Sequence, residues 1–273
     1  MTGSARERLE GVLREIGPLA VAVSGGVDSL TLAALSHRIL GGAAAMVHAA
    51  SPAVPAEATA RVRREAVREG WDLQVVEAGE FEDANYRANP VNRCFFCKTN
   101  LYGTIRTVTD RQMVSGANLD DLGEYRPGLD AAREHGVRHP YVEAGLDKAA
   151  VRALARDLGL GDVAELPSAP CLSSRVETGL RIEPETLAFI HAVEGMVGSA
   201  LGAGDARRAV RCRVRAAGVV IELDPASLDA LPGGERDDLA RRIEALAPPR
   251  LAENGIRFQP YRVGSAFLTG GAA

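Results

Sequence analysis

Six residues near the N-terminus, Ser24 to Ser29, read SGGVDS and follow a short apolar run. Adjacent glycines allow a backbone to approach an anion closely and to adopt positive φ. Backbone N–H groups of such a loop, with the N-terminus of a following helix, can cradle a phosphate. The stretch has no lysine of the GxxxxGK[ST] type that could reach a γ-phosphate. Its two serines and its acidic residue suit pyrophosphate and Mg²⁺ instead. The alternative is a glycine turn with an Asp or Ser helix cap.

A second pattern is the pair Cys94 and Cys97 within NPVNRCFFCKTN. A Cys-x-x-Cys pair serves as a disulfide, half of a zinc site, a redox dithiol or part of an iron–sulfur site. We expect a cytoplasmic protein, for the reasons given below, and stable disulfides are disfavoured in that compartment. A zinc site would need a fourth ligand at a suitable spacing, and the sequence lacks one. Cys171 is a third candidate thiol, and three cysteines suit a [4Fe–4S] cluster with one open iron. Buried and loop thiols without a cofactor are the alternative.

The fourth cysteine lies in AVRCRVR, where residue types alternate with the period of a strand. Cys212 shares a face with valines, and we expect it to be buried in a core. Arg211, Arg213 and Arg215 share the opposite face. Two neighbouring guanidinium groups can form a fork onto a phosphate. A solvated strand face is the alternative.

Lysine occurs only at positions 98 and 148 among 32 basic residues. Because an ammonium and a guanidinium are not equivalent at a tight site, these two positions are informative. Lys98 follows the Cys-x-x-Cys pair and is a candidate for stabilising negative charge that develops on a bound phosphate group. Lys148 begins a helix near the predicted strand ends. Surface positions are the alternative for both.

Two further sets of charged residues are candidates. Asp120 and Asp121 follow the fourth predicted strand, where carboxylates could face Mg²⁺ or a nucleotide. Arg175 lies beside Cys171, where its charge could lower the pKa of the thiol. Solvated loop acids and an ordinary linker arginine are the alternatives.

The elements that must position these groups alternate between apolar strands and amphipathic helices. The apolar run 19–23 predicts a buried strand, and 43–55 predicts a second buried strand that ends in a Pro-bearing loop. DLQVVEA and 112–118 predict a third and a fourth strand. This order indicates an α/β fold with a doubly wound parallel sheet, whose ligands bind at the carboxyl ends of the strands. After about residue 175 the pattern changes to a helix, a β-hairpin and further helix and strand. We therefore predict one domain over residues 1–175 and a smaller α+β domain over residues 176–273.

The bulk properties narrow the classes of partner. The chain has 273 residues, a formal net charge of −4 and a pI of about 5.8, which makes nucleic acid an unlikely main partner. No apolar run approaches the roughly 18 residues of a membrane span, and the N-terminus has no apolar signal core. We expect a cytoplasmic protein that does not enter a membrane.

The SGGxDS stretch after a first buried strand resembles the PP-loop ATP pyrophosphatases, which have an adenine nucleotide alpha-hydrolase-like fold. These enzymes split ATP between the α and β phosphates and adenylate a substrate. The resemblance implies that Ser24, Gly25, Gly26, Asp28 and Ser29 bind pyrophosphate, with Asp28 near Mg²⁺.

Longer motifs resemble one branch of these enzymes. They are NPVNRCFFCKTNLY, the stretch from SGANLDDLGEYRPG to RALARDLGL, and PSAPCLSSRVETGLRI, and the likeness runs from about residue 10 to beyond residue 225. Together they are similar to the LarE family, ATP-dependent sulfur transferases for the nickel-pincer cofactor of lactate racemase. The resemblance implies adenylation of pyridinium-3,5-biscarboxylic acid mononucleotide, a small-molecule nucleotide substrate. A thiol or sulfide then displaces AMP and leaves a thiocarboxylate. It also implies a homo-oligomer, a hexamer.

The resemblance allows two sources of sulfur. In one, Cys94, Cys97 and Cys171 hold a [4Fe–4S] cluster that delivers sulfide. In the other, Cys171 attacks the acyl-adenylate and loses its sulfur, which leaves dehydroalanine. The sequence contains all three cysteines, so we favour the cluster.

The family likeness extends to the arginine face. Arg213 and Arg215 match positions that hold the 5′-phosphate of the substrate, with Arg211 in reserve because the stretch GAGDARR shifts the alignment.

Three other functions remain open on the sequence. A tRNA-thiolating PP-loop enzyme also combines SGGxDS with three cysteines, although the acidic pI argues against it. An amide-forming synthetase of the NAD or GMP type would give the cysteines no role. A sensor of adenine nucleotides would bind without turnover.

Overall fold

The structure is a computed structural model that describes residues 3–123, 126–202, 209–252, 255–262 and 264–266. The chain forms two compact units. The first unit comprises Met1–Glu80 and Asn92–Ala169, and the second unit comprises Phe81–Val91 and Pro170–Ala273. The predicted division at residues 175 and 176 stays a prediction. The short segment Phe81–Val91 makes its contacts with the C-terminal unit, although it lies early in the sequence.

The first unit contains a parallel β-sheet with the strand order β3-β2-β1-β4. Its strands are Leu19–Ala22 (β1), Ala44–Ala49 (β2), Leu73–Val76 (β3) and Gln112–Val114 (β4). The second unit contains a mixed sheet with the order β5-β6-β7, made of Val210–Arg215 (β5), Gly218–Leu223 (β6) and Ile256–Pro260 (β7). The predicted α/β class with a parallel sheet, and the separate α+β part near the C-terminus, are confirmed.

Helices connect the strands in both units. In chain order they are Ala5–Ile16 (α1), Val27–Leu40 (α2), Ala56–Glu69 (α3), Ala84–Arg87 (α4), Arg93–Val108 (α5), Pro127–Glu134 (α6), Pro140–Glu143 (α7), Lys148–Asp157 (α8), Gly161–Ala164 (α9), Pro184–Ala200 (α10), Pro225–Ala230 (α11), Gly233–Leu246 (α12) and Pro249–Ala252 (α13). Short 3₁₀ turns cover Gly41–Ala43, Leu119–Gly123 and Leu172–Arg175. Within the described ranges, none of the helices has the length and apolar character needed to cross a membrane.

Both faces of the parallel sheet are covered, as the continuous apolar runs predicted. Side chains alternate along a strand, so neighbours in β1 enter different cores. Leu19 and Val21 pack in a core with α1, α2 and α8. Ala20 packs on the other side with Tyr102 and Ile105 of α5. This arrangement is the one expected of a doubly wound sheet.

The fourth strand is shorter than predicted, because residues 115–118 leave the sheet. The cause is the close passage of Gly116 past the start of α2. A Cβ atom at this glycine would lie 3.0 Å from the Asp28 carbonyl carbon and 3.0 Å from the Ser29 nitrogen. The turn therefore brings the segment after β4 against the loop that follows β1.

The second unit contains the predicted hairpin, since β5 and β6 pair antiparallel through Cys212↔Ile221 and neighbouring pairs. β7 then pairs parallel to β6. The helical stretch predicted after residue 226 is divided at Pro232, which caps α12, because a proline cannot continue a helix and restricts the residue before it.

The segment Phe81–Val91 is fastened to the stretch that follows Cys171. The Tyr86 hydroxyl lies 2.6 Å from Ser173 Oγ. Asn89 is fully buried at a φ of +54°, and its side-chain amide donates to the Glu177 carbonyl at 2.8 Å. Asparagine tolerates this left-handed conformation better than most residues do. The segment is thus held by buried polar contacts as well as by packing.

A buried histidine joins β1, β2 and α3 in the first unit. His48 Nδ1 lies 2.8 Å from the Val23 carbonyl, and Nε2 lies 2.9 Å from Thr59 Oγ1. A carbonyl only accepts, so Nδ1 carries the proton and Nε2 accepts from the hydroxyl. Burial, more than the nearby Arg63, lowers the pKa of His48 below its usual value of 6.5.

This histidine should make the stability of the protein depend on pH. Because the folded-state pKa is lowered, the stabilisation is complete above about pH 6.5 and is lost as pH falls through the folded-state pKa. We expect the melting temperature of wild type to fall more steeply between about pH 8 and pH 5 than that of His48→Gln. Thermal unfolding at both pH values measures this, with His191→Gln on α10 as the control. Equal slopes for wild type and His48→Gln would contradict it.

Candidate functional site

The loop between β1 and α2 is the first part of the candidate site. Gly25 has a φ of +84°, and a Cβ atom there would lie 2.8 Å from the Ala58 carbonyl oxygen, so the position requires glycine. The Ser29 hydroxyl accepts from the Ser24 N–H at 3.0 Å and lies 3.2 Å from the Gly26 carbonyl, to which it donates. The predicted glycine turn is therefore closed by the predicted serines.

Side chains from distant segments hold two carbonyl groups of this loop. Arg61 of α3 donates to the Gly25 carbonyl at 2.7 Å, and Tyr141 donates to the Asp28 carbonyl at 2.9 Å. In a trans peptide the C=O and the following N–H point in opposite directions. The N–H groups that follow these two carbonyls are thus turned away from Arg61 and Tyr141. Oriented N–H groups of this kind make an anion-binding concavity.

The carboxylate of Asp28 is the point where three segments of the first unit meet. Asn118, just beyond β4, donates its side-chain amide to Asp28 Oδ1 at 3.3 Å. Lys148, the first residue of α8, forms an ion pair with Asp28 Oδ2. The backbone N–H of Lys148 donates to Asp120 Oδ2 at 3.1 Å. An acidic loop residue, an ammonium and a second carboxylate therefore lie together beside the glycine turn.

This group of side chains is compatible with Mg²⁺ bound together with phosphate. Mg²⁺ usually takes one or two carboxylates and completes its shell with water and substrate phosphates. Asp28 and Asp120 offer two carboxylates, while Asp121 accepts from the Asn118 N–H at 3.0 Å and pairs with Arg126. In the part of the chain that the structure describes, no group of three or more His, Cys, Asp or Glu side chains is arranged to hold a metal ion. Phosphate oxygens would have to complete the shell.

The helix α5 carries Cys94, Cys97 and Lys98. None of the four cysteines forms a disulfide bond with another described residue, and these two are half-buried. Residues three apart on a helix lie on the same face, so the pair is suited to a shared ligand. The ammonium of Lys98 lies 5.9 Å from the ring centre of Tyr102, and its Cγ lies against Gly128 at the start of α6. The other lysine of the chain, Lys148, is the one that pairs with Asp28, and the role of Lys98 at a phosphate stays a prediction.

Cys171 belongs to the second unit, immediately before the 3₁₀ turn Leu172–Arg175, and is half-buried. Arg175 was a candidate for lowering the pKa of this thiol. Its guanidinium is instead buried and forms a fork with Glu194, with Nε and Nη2 at 3.0 and 3.1 Å from the carboxylate oxygens. The alternative of an ordinary linker arginine is wrong, because an exposed linker residue would not be enclosed in this way.

The arginine face of β5 is not a solvated strand face. Arg213 Nε donates to Glu222 Oε2 at 3.0 Å, and Arg215 Nη2 donates to Glu222 Oε1 at 2.8 Å. The side chain of Arg213 is 5% exposed and that of Arg215 is 26% exposed. Arg215 Nε is buried and has no hydrogen-bond partner among the described residues. A buried N–H without an acceptor is costly, whereas the exposed part of the Arg215 side chain can reach a ligand.

The other two residues of this strand have separate surroundings. Cys212 is fully buried, as predicted, and burial raises the pKa of its thiol. The Arg211 guanidinium lies 5.9 Å from the ring centre of Tyr261 and donates to the Val210 carbonyl at 2.8 Å.

Sequence reasoning missed Arg61, Tyr141 and Asn118 as parts of the candidate site. Their partners lie 36, 113 and 90 positions away in the chain. Arg61 is one of several arginines on a helix rich in arginine, and no local pattern distinguishes it. Asn118 is the last residue of the predicted fourth strand, and the carboxyl end of that strand was the available signal.

The close approach of Gly116 to the loop can be tested by adding one methyl group. We expect Gly116→Ala to lower the free energy of unfolding by about 1–3 kcal/mol, because its Cβ would press on the backbone of Asp28 and Ser29. Gly103→Ala on α5 is the matched control. Its Cβ meets open space, and the change should stabilise the helix by roughly 0.5–1 kcal/mol. Chemical denaturation measures both. A Gly116→Ala protein as stable as wild type would show that the loop is not held at this point.

No family model matches the chain. The uncharacterized protein slr1717 of Synechocystis sp. is 37% identical over 191 residues, which cover 68% of this chain and 71% of that protein. The pyridinium-3,5-bisthiocarboxylic acid mononucleotide synthase of Lactiplantibacillus plantarum is 27% identical over 191 residues, or 68% of this chain and 69% of the synthase. The uncharacterized protein MJ0830 of Methanocaldococcus jannaschii is 26% identical over 180 residues, or 64% of this chain and 68% of that protein.

The likeness to the Lactiplantibacillus synthase agrees with the expected LarE resemblance, at a more distant level than the likeness to the Synechocystis protein. With 37% identity over more than two thirds of both chains, this chain belongs to the same family as the Synechocystis protein slr1717.

Proposed function

We propose that the protein is an ATP-dependent sulfur transferase that converts pyridinium-3,5-biscarboxylic acid mononucleotide to its thiocarboxylate form. The observation that carries this proposal is the arrangement of the SGGVDS loop. Arg61 and Tyr141 donate hydrogen bonds to two of its carbonyl groups, and the Asp28 carboxylate forms an ion pair with the Lys148 ammonium. The relative from Lactiplantibacillus, named for the bisthiocarboxylic acid mononucleotide product, supports the choice of substrate.

The first half of the proposed reaction is adenylation. A substrate carboxylate oxygen attacks the α-phosphorus of ATP, the bond to the bridging oxygen of the β-phosphate breaks, and pyrophosphate leaves. The backbone N–H groups of the Ser24–Ser29 loop receive the charge that collects on the leaving phosphates. Lys148 exchanges Asp28 for a phosphate oxygen, which leaves the Asp28 carboxylate to ligate Mg²⁺. Lys98 on α5 is the proposed second cation for the α-phosphorus.

The second half is sulfur transfer. A sulfur nucleophile attacks the acyl carbon of the adenylate, and AMP leaves with the electrons of the C–O bond. Cys94, Cys97 and Cys171 would hold a [4Fe–4S] cluster, which would supply the sulfide. Cys94 and Cys97 lie on one turn of α5, so they could supply two ligands of such a cluster.

In the alternative route, Cys171 itself is the nucleophile. Its Sγ forms a thioester with the substrate, a base removes the Cα proton, and the Cβ–S bond breaks. The products are the thiocarboxylate and a dehydroalanine at position 171, with no change of oxidation state requiring an outside oxidant. Cys171 sits half-buried as the cap of the turn Leu172–Arg175, so its thiol is not enclosed in the core as that of Cys212 is.

We propose that Arg215, with Arg213, receives the 5′-phosphate of the substrate. Glu222 holds both guanidinium groups in place, and the Arg215 side chain is 26% exposed, so part of it can be reached by a phosphate oxygen. Arginine presents donors in a planar fork that matches phosphate geometry. Arg213 already donates to the Ser174 carbonyl at 3.0 Å, so we assign the larger share of the contact to Arg215.

The proposed adenylation step predicts that Asp28→Asn loses adenylation activity. We expect the rate of pyrophosphate and AMP formation with the biscarboxylate to fall by about 100-fold or more, since the variant lacks the charge that holds Mg²⁺ and Lys148. Asp130→Asn is the control, because Asp130 forms an exposed ion pair with Arg133 on α6. The assay is pyrophosphate release with purified protein. The proposed function would be contradicted if Asp28→Asn released pyrophosphate as fast as wild type, or if wild type released no pyrophosphate.

Metal analysis can distinguish the two proposed sources of sulfur, a cluster and Cys171 itself. After anaerobic purification we expect bound iron and sulfide in wild type and in Cys212→Ala, and a loss of both in Cys94→Ser and Cys97→Ser. The measurements are iron and sulfide quantitation with a visible spectrum. Absence of iron, together with a mass loss of about 34 Da at Cys171 after turnover, equal to one H₂S, would establish the sacrificial route instead.

A further inference from the structure

We propose that Arg175 and Glu194 form a buried positioning pair that fixes the backbone on both sides of Cys171 and so sets the direction of its Cα–Cβ bond. The inference rests on the proposed function, in which Cys171 bears the reacting sulfur or ligates the cluster that carries it. Neither residue contacts the thiol in this role. They act through the peptide groups that flank it.

The contacts of Arg175 Nη1 carry the proposal. This nitrogen lies 2.5 Å from the Pro170 carbonyl oxygen and 3.0 Å from the Cys171 carbonyl oxygen. The first carbonyl belongs to the peptide that precedes the Cys171 Cα, and the second belongs to the peptide that follows it. Two planar peptides share one Cα, and their orientations define its φ and ψ. One guanidinium therefore fixes both dihedral angles of Cys171, and with them the direction of its Cα–Cβ bond.

Glu194 fixes the guanidinium in turn. Its two carboxylate oxygens accept from Arg175 Nε and Nη2, and Oε1 also accepts from the Cys212 N–H at 3.0 Å. The pair thus links the cysteine turn to α10 and to β5. The Arg175 side chain is 4% exposed and that of Glu194 is 15% exposed, so solvent does not compete strongly for these bonds.

The far end of the turn is held in a similar way. Arg213, the neighbour of Cys212 on β5, donates to the Ser174 carbonyl at 3.0 Å. The Ser174 N–H donates to the Cys171 carbonyl at 3.0 Å. The short turn is thereby fixed along its length by side chains from other elements of the second unit.

Stability alone does not account for such a pair. A buried ion pair adds little net stability compared with apolar side chains of similar size, because both charges lose their hydration. Its specific contribution here is to orient the backbone at Cys171, since Arg175 donates to the carbonyl groups of Pro170 and Cys171. A reacting group held in the right orientation gains far more in rate than one that samples several orientations.

The test removes the charges together, because Arg175→Met alone would leave a carboxylate unpaired in the interior. In Arg175→Met/Glu194→Gln the glutamine oxygen still accepts from the Cys212 N–H. Arg181→Met is the control, since Arg181 forms an exposed pair with Glu183 in the same unit. The readouts are the alkylation rate of each cysteine with iodoacetamide, resolved by peptide mass spectrometry, and hydrogen exchange of residues 171–176. Thermal unfolding reports whether each variant is folded.

In the folded double variant we expect alkylation of Cys171 and exchange of residues 171–176 to rise by about tenfold or more. With all alkylation measured on metal-free protein, alkylation of Cys94 and Cys97 in the first unit should stay within about twofold of wild type, and so should pyrophosphate release. Thiocarboxylate formation should fall by roughly tenfold or more. Arg175→Lys keeps the charge but loses the planar fork, so the alkylation rate of Cys171 and the exchange of residues 171–176 should rise in this variant as well.

Unchanged alkylation and exchange at Cys171 in folded Arg175→Met/Glu194→Gln would overturn the inference. If the double variant does not fold, Arg175→Lys decides the question by the same two readouts, and wild-type values there would overturn it. Both readouts are taken without ATP or substrate. Failure of the proposed function, seen as no pyrophosphate release by wild type, is therefore distinguishable from failure of the positioning pair.

Discussion

The ion pair between Lys148 and Asp28 is the interaction on which the candidate site depends. Asp28 lies in the first turn of α2, and its carboxylate also accepts from Asn118 beyond β4. Tyr141 holds the carbonyl of the same residue. One loop residue is thus bound by three segments that lie after β4 in the chain. The glycine turn and the residues that surround it therefore form a single arrangement, and a shift in any one of these segments would alter the loop.

Much of this arrangement could be predicted from the sequence, and the missing part has a physical cause. Apolar runs and glycine spacing are local signals, so β1, the turn and α2 were all predictable. The partners of the turn come from 36 to 120 positions away, and their contacts depend on how α3 and α8 pack on the sheet. Scarcity of lysine indicated two positions of interest, but it could not decide which of them reaches Asp28.

The strand β5 shows the limit of periodicity in another way. Alternation correctly predicted that Cys212 faces a core and that Arg213 and Arg215 share the other side. It could not show what covers that side. Glu222 lies on the paired strand β6 and meets both arginines, which turns a row of charges into a nearly closed network. The pairing register determines this contact, and the register exists only once the hairpin has formed.

The segment Phe81–Val91 has a consequence for the order of events during synthesis. Tyr86 leaves the ribosome 87 positions before Ser173, its hydroxyl partner. At translation rates of roughly 5–20 residues per second, the segment waits about 4–17 s for that partner. During this interval most strands of the first unit have been synthesised. The segment Phe81–Val91 interrupts that unit in the sequence, but it belongs to the second unit, most of which has not yet been synthesised. The second unit therefore completes its fold only after translation has passed the cysteine turn, and the early segment must stay available until then.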